Sequence, residues 1–388
     1  MRKLLFILFL FFLSSCATPM GGAKKVGDIQ PQEKPNIDTV EAGLWMQMNK
    51  YEEDLKTSGS RLKDDNLEKY LKNILCRLVP NYCEDIRIYV QDVPHFNAFM
   101  APNGMMVVWT GLLLRAENEA QLAAVIGHEA GHYIKRHSLK TWLDAKARTD
   151  LMAFLSIGLA VGGVPGGGDI FNLTQLLQAG IMARHSRENE READKIGLDV
   201  LIKSGYDPKE APKVWRNIIK EMELGENKQP PIFFASHPFP KERIENLENQ
   251  TKTYDNIGQE TNKEQFKKII SKYSDEWLRN EIRLKNKTEQ SEFIVSNFYK
   301  DTDKQHLLKF YQGEIYRYKK TEENNEKAIS LYKESIQIKN DFPDTNRELG
   351  LLLLKKNETK DEAREYLKKY VELAPNANDT EIINDYIK

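Results

Sequence analysis

The sequence of 388 residues is short of several things, and each shortage narrows what the protein can be. It has no surplus of charge: 57 Lys and Arg nearly balance 58 Asp and Glu, so no global field argues for nucleic acid or an acidic surface as the main partner. It has no long internal apolar run. The most apolar internal stretch, LMAFLSIGLAVGGVPGGGD over 151–169, offers about fourteen apolar or small residues before a Pro/Gly cluster, too few to cross a bilayer as a helix. Cysteine (3) and histidine (7) are scarce, so any spacing motif among the histidines carries weight. What remains is a 40% apolar chain long enough for a sizeable core and about two domains. Its function must come from local sites.

The N-terminus, MRKLLFILFLFFLSSC, places Arg2 and Lys3 before an apolar core from Leu4 to Leu13, which is an export signal too short to span a membrane. The stretch LSSC resembles the bacterial lipobox, which implies a signal peptide over 1–15 and lipid on Cys16; the alternative is an ordinary signal peptide with a chance cysteine. Several acyl chains on one cysteine suffice for stable anchoring, so membrane contact is expected through the lipid alone. Ala17, by the same resemblance, implies the outer membrane of a diderm bacterium and a periplasmic location. Residues 16–40, rich in Gly, Pro and charge, read as a flexible tether. With Cys16 assigned to lipid, Cys76 and Cys83 remain, most simply as a disulfide that closes an eight-residue loop and stabilises by about 2.5 kcal/mol. Two buried thiols are the alternative.

Residues 41–78 have helical spacing, and IRIYVQDV alternates as a strand. Pro102-Asn103-Gly104 predicts a hairpin between NAFMA and MMVVW. Residues 117–137 read as one amphipathic helix. The stretch 151–169 is expected to be a buried helix and flexible turn, or else a lid hinged on its glycines. From about 275 the composition turns to helices rich in Lys, Glu, Tyr and Leu. Ala328 and Ala363 lie 35 apart and Gly313 and Gly350 lie 37 apart, which resembles tetratricopeptide repeats of about 34 residues. The fold class is therefore α+β: a mostly helical domain with a small sheet over 41–270, then an all-helical repeat region over 275–388.

The chemistry sits in AVIGHEAGHYIKRH. On a helix His128 and His132 project side by side and can share one metal, while Glu129, about 100° round, reaches a metal-activated water without being a ligand. Composition alone would give such a match in about one such chain in a hundred. A third ligand is supplied by ARHSRENEREADKIG, where Glu190 and Asp194 share a helix face. Small residues on both helices (Ala124, Gly127, Gly131; Ala193, Gly197) allow close approach, so that Glu190 can complete a His2Glu zinc site and Asp194 can accept the spare N–H of a ligand histidine. His137, five residues past His132, is expected to point away from the metal to the surface; His95, His185 and His306 have no partner spacing.

HEAGH, NEREAD, SHPFPKERI and NAFMAPNGMMVVWTGLL, in this order-preserving set over about 41–247, resemble the HtpX-like and CAAX prenyl endopeptidase family of zinc metallopeptidases, and most the exported lipoprotein members with C-terminal tetratricopeptide repeats. The resemblance implies a zincin-type domain holding one Zn2+ through His128, His132 and Glu190, with Glu129 as general base. It also implies that His237 lies near the metal as a gate or an oxyanion stabiliser; by its sequence alone it could equally cap a helix before Pro238. Arg243 has two open roles, substrate contact or buttress. A substrate segment is expected along Asn97, Ala98, Phe99, Met100 and Ala101, paired through the main chain. The function that follows is a zinc endopeptidase for unfolded or misassembled envelope proteins, with repeats that engage the outer-membrane assembly machinery. A gated chaperone-like adaptor is the rival reading, and a prenylated-peptide protease is disfavoured by the lack of membrane helices.

Overall fold

The computed structural model describes residues 26–147, 184–225, 232–238, 241–254, 257–285, 287–300 and 302–388. The export signal, Cys16 and the apolar stretch 151–169 lie outside these residues. Among the described residues, no helix is long and apolar enough to cross a membrane.

The chain begins with helices α1 (Val40–Thr57) and α2 (Asp65–Leu78), then strands β1 (Arg87–Gln91), β2 (Ala98–Met100) and β3 (Met105–Trp109). β3 is central, parallel to β1 and antiparallel to β2, in a three-stranded sheet. The hairpin turn closes at Gly104, whose φ of +86° suits glycine. Because side chains alternate across a strand, the sheet sorts its residues onto two cores. Tyr89, Phe99, Met105, Val107 and Trp109 pack under α1 through Met48, Tyr51 and Leu55. Ile88, Val90, Met106 and Val108 face the main core instead.

That second face receives α3 (Thr110–Arg115) and α4 (Glu119–Ile134), the helix of the HExxH motif. Asn118 caps α4 by accepting from the Gln121 N–H at 2.9 Å. Every residue from Glu119 to Tyr133 is buried, so α4 is the central helix of the domain and not the amphipathic surface helix that its spacing suggests. It ends at Ile134, before the expected 137. Arg136 takes a left-handed φ of +52°, and α5 (His137–Ala147) starts afresh from that corner. The stretch expected as tether also departs from expectation at its end. Ile29 is 1% exposed and its backbone N–H donates to the Ile134 carbonyl at 2.9 Å, and with the ion pairs Lys135–Asp28 and Arg136–Glu33 it fixes this segment across the end of α4.

Helix α6 (Arg187–Lys203) crosses α4, followed by α7 (Glu210–Glu223), the short α8 (Phe233–Ser236) and α9 (Lys241–Thr251). From Lys263 to Ile387 the described chain is helical apart from turns. Gln305–Arg317 pairs with Glu322–Ile338, and Pro343–Leu353 with Lys360–Leu373. One hydrophobic core runs from Leu67 through Trp277 to Ala363 without a break. At the joint the buried Arg115 guanidinium binds Glu221 of α7 and Glu281 of the helix Ser274–Lys285. The thiols of Cys76 and Cys83 are joined as a disulfide, with Cα atoms 4.7 Å apart.

Candidate metal centre

The site depends on how closely α4 and α6 approach. A Cβ on Gly197 would stand 2.9 Å from the His128 backbone nitrogen, and one on Gly131 would stand 3.2 Å from Ala193 Cα. Only because these side chains are absent or small can Glu190, near the start of α6, reach the two histidines of α4.

His128, His132, Glu190 and His237 converge, each offering one ligand atom, with all four atoms within 4.8 Å of one another. His132 Nε2 is 3.0 Å from His128 Nε2 and 3.5 Å from Glu190 Oε1. His237 Nδ1 is 3.1 Å from Glu190 Oε1 and 3.4 Å from His128 Nε2. Ligands about 2.1 Å from a tetrahedral zinc would stand about 3.4 Å apart, so these separations fit that ion. Each of the four is 3% exposed or less. Burial, reinforced by the neighbouring imidazoles, holds His132 and His237 well below the usual histidine range, which keeps them as neutral ligands. Burial also pushes Glu190 up to about 7, against the pull of Arg243. A carboxyl so placed gains from a dication beside it. The donor set therefore fits zinc, with His237 in the fourth position.

Glu129 sits beside this cluster without joining it. Its Oε1 is 3.5 Å from His237 Nε2, and that oxygen is buried with no hydrogen-bond partner among the described residues. Burial, and after it the Glu190 charge, push Glu129 well above the ordinary carboxyl range. A buried carboxyl with one oxygen unpartnered is a poised proton acceptor or donor for whatever enters.

The surrounding residues hold these groups in place. His128 Nδ1 lies 3.0 Å from Asp194 Oδ1, in ion-pair reach though not aligned as a hydrogen bond. Arg243, 2% exposed, donates to Asp194 Oδ2 from Nε at 2.7 Å and to Oδ1 from Nη2 at 2.6 Å, and it also bonds Glu190 and the Pro238 carbonyl. Burial disfavours the charge on Asp194, yet Arg243 and His128 hold its carboxyl down to about 2. Of the two roles open to Arg243, the geometry is that of a buttress, since a guanidinium so enclosed presents nothing to a substrate. His237 stacks on Phe233 with ring centroids 4.2 Å apart, and Phe233 stacks in turn on Trp215.

His137 turns inward, against the expectation of a surface position. It is buried, with Nδ1 2.9 Å from His132 Nδ1 and Nε2 3.0 Å from Glu192 Oε2. Spacing of five points away from His132 only on a continuous helix, and the left-handed turn at Arg136 breaks that helix. His185 also joins the site, its ring stacking on His132 at 4.0 Å while its backbone N–H donates to the Ser236 carbonyl. No local signal in the sequence announces either residue; His95 and His306 lie elsewhere. The candidate substrate residues Asn97–Ala101 are all buried, and Ala98–Met100 form an edge strand. Met100, Ala101 and His132 line one small cavity, which places the end of this strand beside the cluster.

Comparison with known proteins agrees with this geometry. The model of peptidase family M48 matches residues 64–251. A beta-barrel assembly-enhancing protease of Escherichia coli (strain K12) is 28% identical over 220 residues, covering 55% of this chain and 45% of the relative. A putative beta-barrel assembly-enhancing protease of Vibrio cholerae is 27% identical over 239 residues, covering 58% and 48%. The mitochondrial metalloendopeptidase OMA1 of Arabidopsis thaliana is 31% identical over 227 residues, covering 58% and 42%. The matched part of this chain thus spans a little under half of each of these relatives. The HExxH helix, the Glu190 helix and the hairpin all fall inside the segment that matches peptidase family M48, which supports a zinc metallopeptidase domain over residues 64–251.

Proposed function

We propose that the protein is a zinc endopeptidase that cuts unfolded or misassembled envelope proteins. One observation carries this reading: four ligand-type side chains converge within 4.8 Å, and beside them is a Glu129 oxygen that has no hydrogen bond among the described residues. His128, His132 and Glu190 would hold the ion. Zinc, when bound, supplies the Lewis acidity that polarises a scissile carbonyl and acidifies the attacking water. Glu129 takes a proton from that water at its unpartnered oxygen and returns it to the amine nitrogen as the C–N bond breaks. Asp194 keeps His128 oriented, and Arg243 keeps Asp194 and Glu190 in register.

β2 supports binding that ignores side chains. One edge pairs with β3, and no strand pairs with its other edge among the described residues. An extended polypeptide added there gains main-chain hydrogen bonds whatever its sequence, which suits unfolded chains. Asn97, at the head of the strand, is buried with neither side-chain amide atom hydrogen-bonded among the described residues, and its bonds become available only when the cover over this strand opens.

The relatives named as beta-barrel assembly-enhancing proteases support a role in outer-membrane protein quality control in the periplasm. Lipid on Cys16 would anchor the chain to that membrane. The paired C-terminal helices, read as tetratricopeptide repeats, would choose the partner, by engaging the assembly machinery.

A second reading is favoured by His237, which stands where a fourth ligand would. A protein held in that state cleaves rarely and works as an adaptor, and His237 must withdraw for cleavage. The test compares cleavage of casein by the zinc-loaded protein with that by Glu129→Gln and His237→Ala. The endopeptidase reading expects cleavage by the wild type or by His237→Ala and none by Glu129→Gln. Silence from all three, with zinc bound, leaves the adaptor.

A further inference from the structure

The two ligand histidines of α4 are supported differently. Behind His128 stands one carboxylate, Asp194. Behind His132 stands another imidazole. We propose that His137 and Glu192 form a two-residue relay that positions His132 as a zinc ligand. This inference rests on the metal-site reading above.

The hydrogen-bond chain fixes its own direction. His132 Nε2 faces the cluster, 3.0 Å from His128 Nε2, and must keep its lone pair for an ion. Its proton is therefore on Nδ1, 2.9 Å from His137 Nδ1, which accepts it. His137 then carries its own proton on Nε2 and donates it to Glu192 Oε2 at 3.0 Å. Each nitrogen has one role, and no other arrangement satisfies both contacts with His132 ready to bind a metal. Glu192 is placed in turn by Lys135, whose Nζ is 3.2 Å from Glu192 Oε1 and 2.8 Å from Asp28 Oδ2.

The geometry also explains the turn after α4. His137 begins α5, and its side chain reaches back because Arg136 reverses the chain with a φ of +52°. The imidazole is 0% exposed, whereas the Glu192 side chain is 41% exposed. The relay thus runs from the buried cluster to the surface. Its function is to fix the tautomer and ring plane of His132, the service that outer carboxylates and carbonyls give to metal-bound histidines.

The test is zinc affinity, read by competition with a chelator on the full-length protein, with folding of each metal-free variant checked by circular dichroism. His137→Leu should weaken zinc by about 10–100-fold. Glu192→Ala, at a half-exposed side chain, should weaken it by less. Glu192 acts through His137, so the double variant should bind no more weakly than His137→Leu alone. His137→Asn, whose Oδ1 takes the place of Nδ1, should recover most of the affinity, which a packing role would not allow. Wild-type affinity in His137→Leu and Glu192→Ala overturns the relay, as does a double variant whose losses add. If His137→Leu does not fold, wild-type affinity in Glu192→Ala alone overturns it. Failure of the metal-site reading looks different: the wild type then binds no stoichiometric zinc, or His132→Ala binds it as tightly as the wild type.

Discussion

The catalytic half and the C-terminal helical half bury polar groups by different rules. Within the helical half, away from its joint at Arg115–Glu281 and Gln290–Glu221, the fully buried side-chain hydrogen bonds join near neighbours in sequence. Glu314 takes Arg317 from its own helix, three residues on, and Tyr332 from the next, 18 residues on; Ser335 reaches the His306 carbonyl across 29 residues. In the metal centre His128 meets His237 across 109 residues, and Arg243 meets Asp194 across 49. The glycines show the same contrast. Gly313 admits the Tyr332 ring of the adjacent helix, while Gly197 admits the backbone of a helix some seventy residues earlier. Local contacts make the helical half a set of neighbouring pairs, each of which can be disturbed alone. The metal centre is assembled from separate segments and should fail as a unit.

The largest expected effect is that of Arg243→Ala, which strips Glu190 and Asp194 of their buried partner and should destabilise the metal-free protein by about 3–5 kcal/mol. Zinc replaces part of the lost positive charge, so urea unfolding should show a smaller loss when zinc is bound. An equal loss in both states would mean that these carboxylates do not face the ion. Next comes Cys83→Ser, which opens a loop closed across a separation of 7 residues and should lower stability by about 2.5 kcal/mol while zinc affinity stays unchanged.

The glycine pair tests the contrast most cleanly. Gly197→Val and Gly313→Val should each destabilise by about 1–3 kcal/mol through overpacking, read by thermal or urea unfolding. Only the first should also weaken zinc, because only it separates α4 from α6. At the small end, Lys327→Ala removes an exposed partner of Glu323 and should change stability by about 0.5 kcal/mol or less, with zinc binding untouched.

The same contrast governs what the sequence reveals. His128, His132 and Glu129 share one helical turn, and Glu190 and Asp194 share another, so helical period alone brings each set onto a face. The small residues of both helices mark where the two faces meet, and Pro102-Asn103-Gly104 marks the hairpin. His137 is not legible, because the break that turns it inward occurs at Arg136, a residue with no preference for the left-handed region. The partners of Arg243 are not legible either. They lie 49 and 53 residues away, and nothing near Arg243 names them. Ile29 is one apolar residue in a Gly/Pro-rich stretch, too little for a periodic signal, yet it helps fix the chain across the end of α4.

The proposed function requires one zinc among His128, His132 and Glu190 with Glu129 beside it. It is tested most directly by the zinc content of the purified wild-type, His132→Ala and Glu129→Gln proteins. One zinc per chain is expected in the wild type and in Glu129→Gln, and loss of zinc in His132→Ala. Stoichiometric zinc retained without His132, or absent from the wild type, would contradict it.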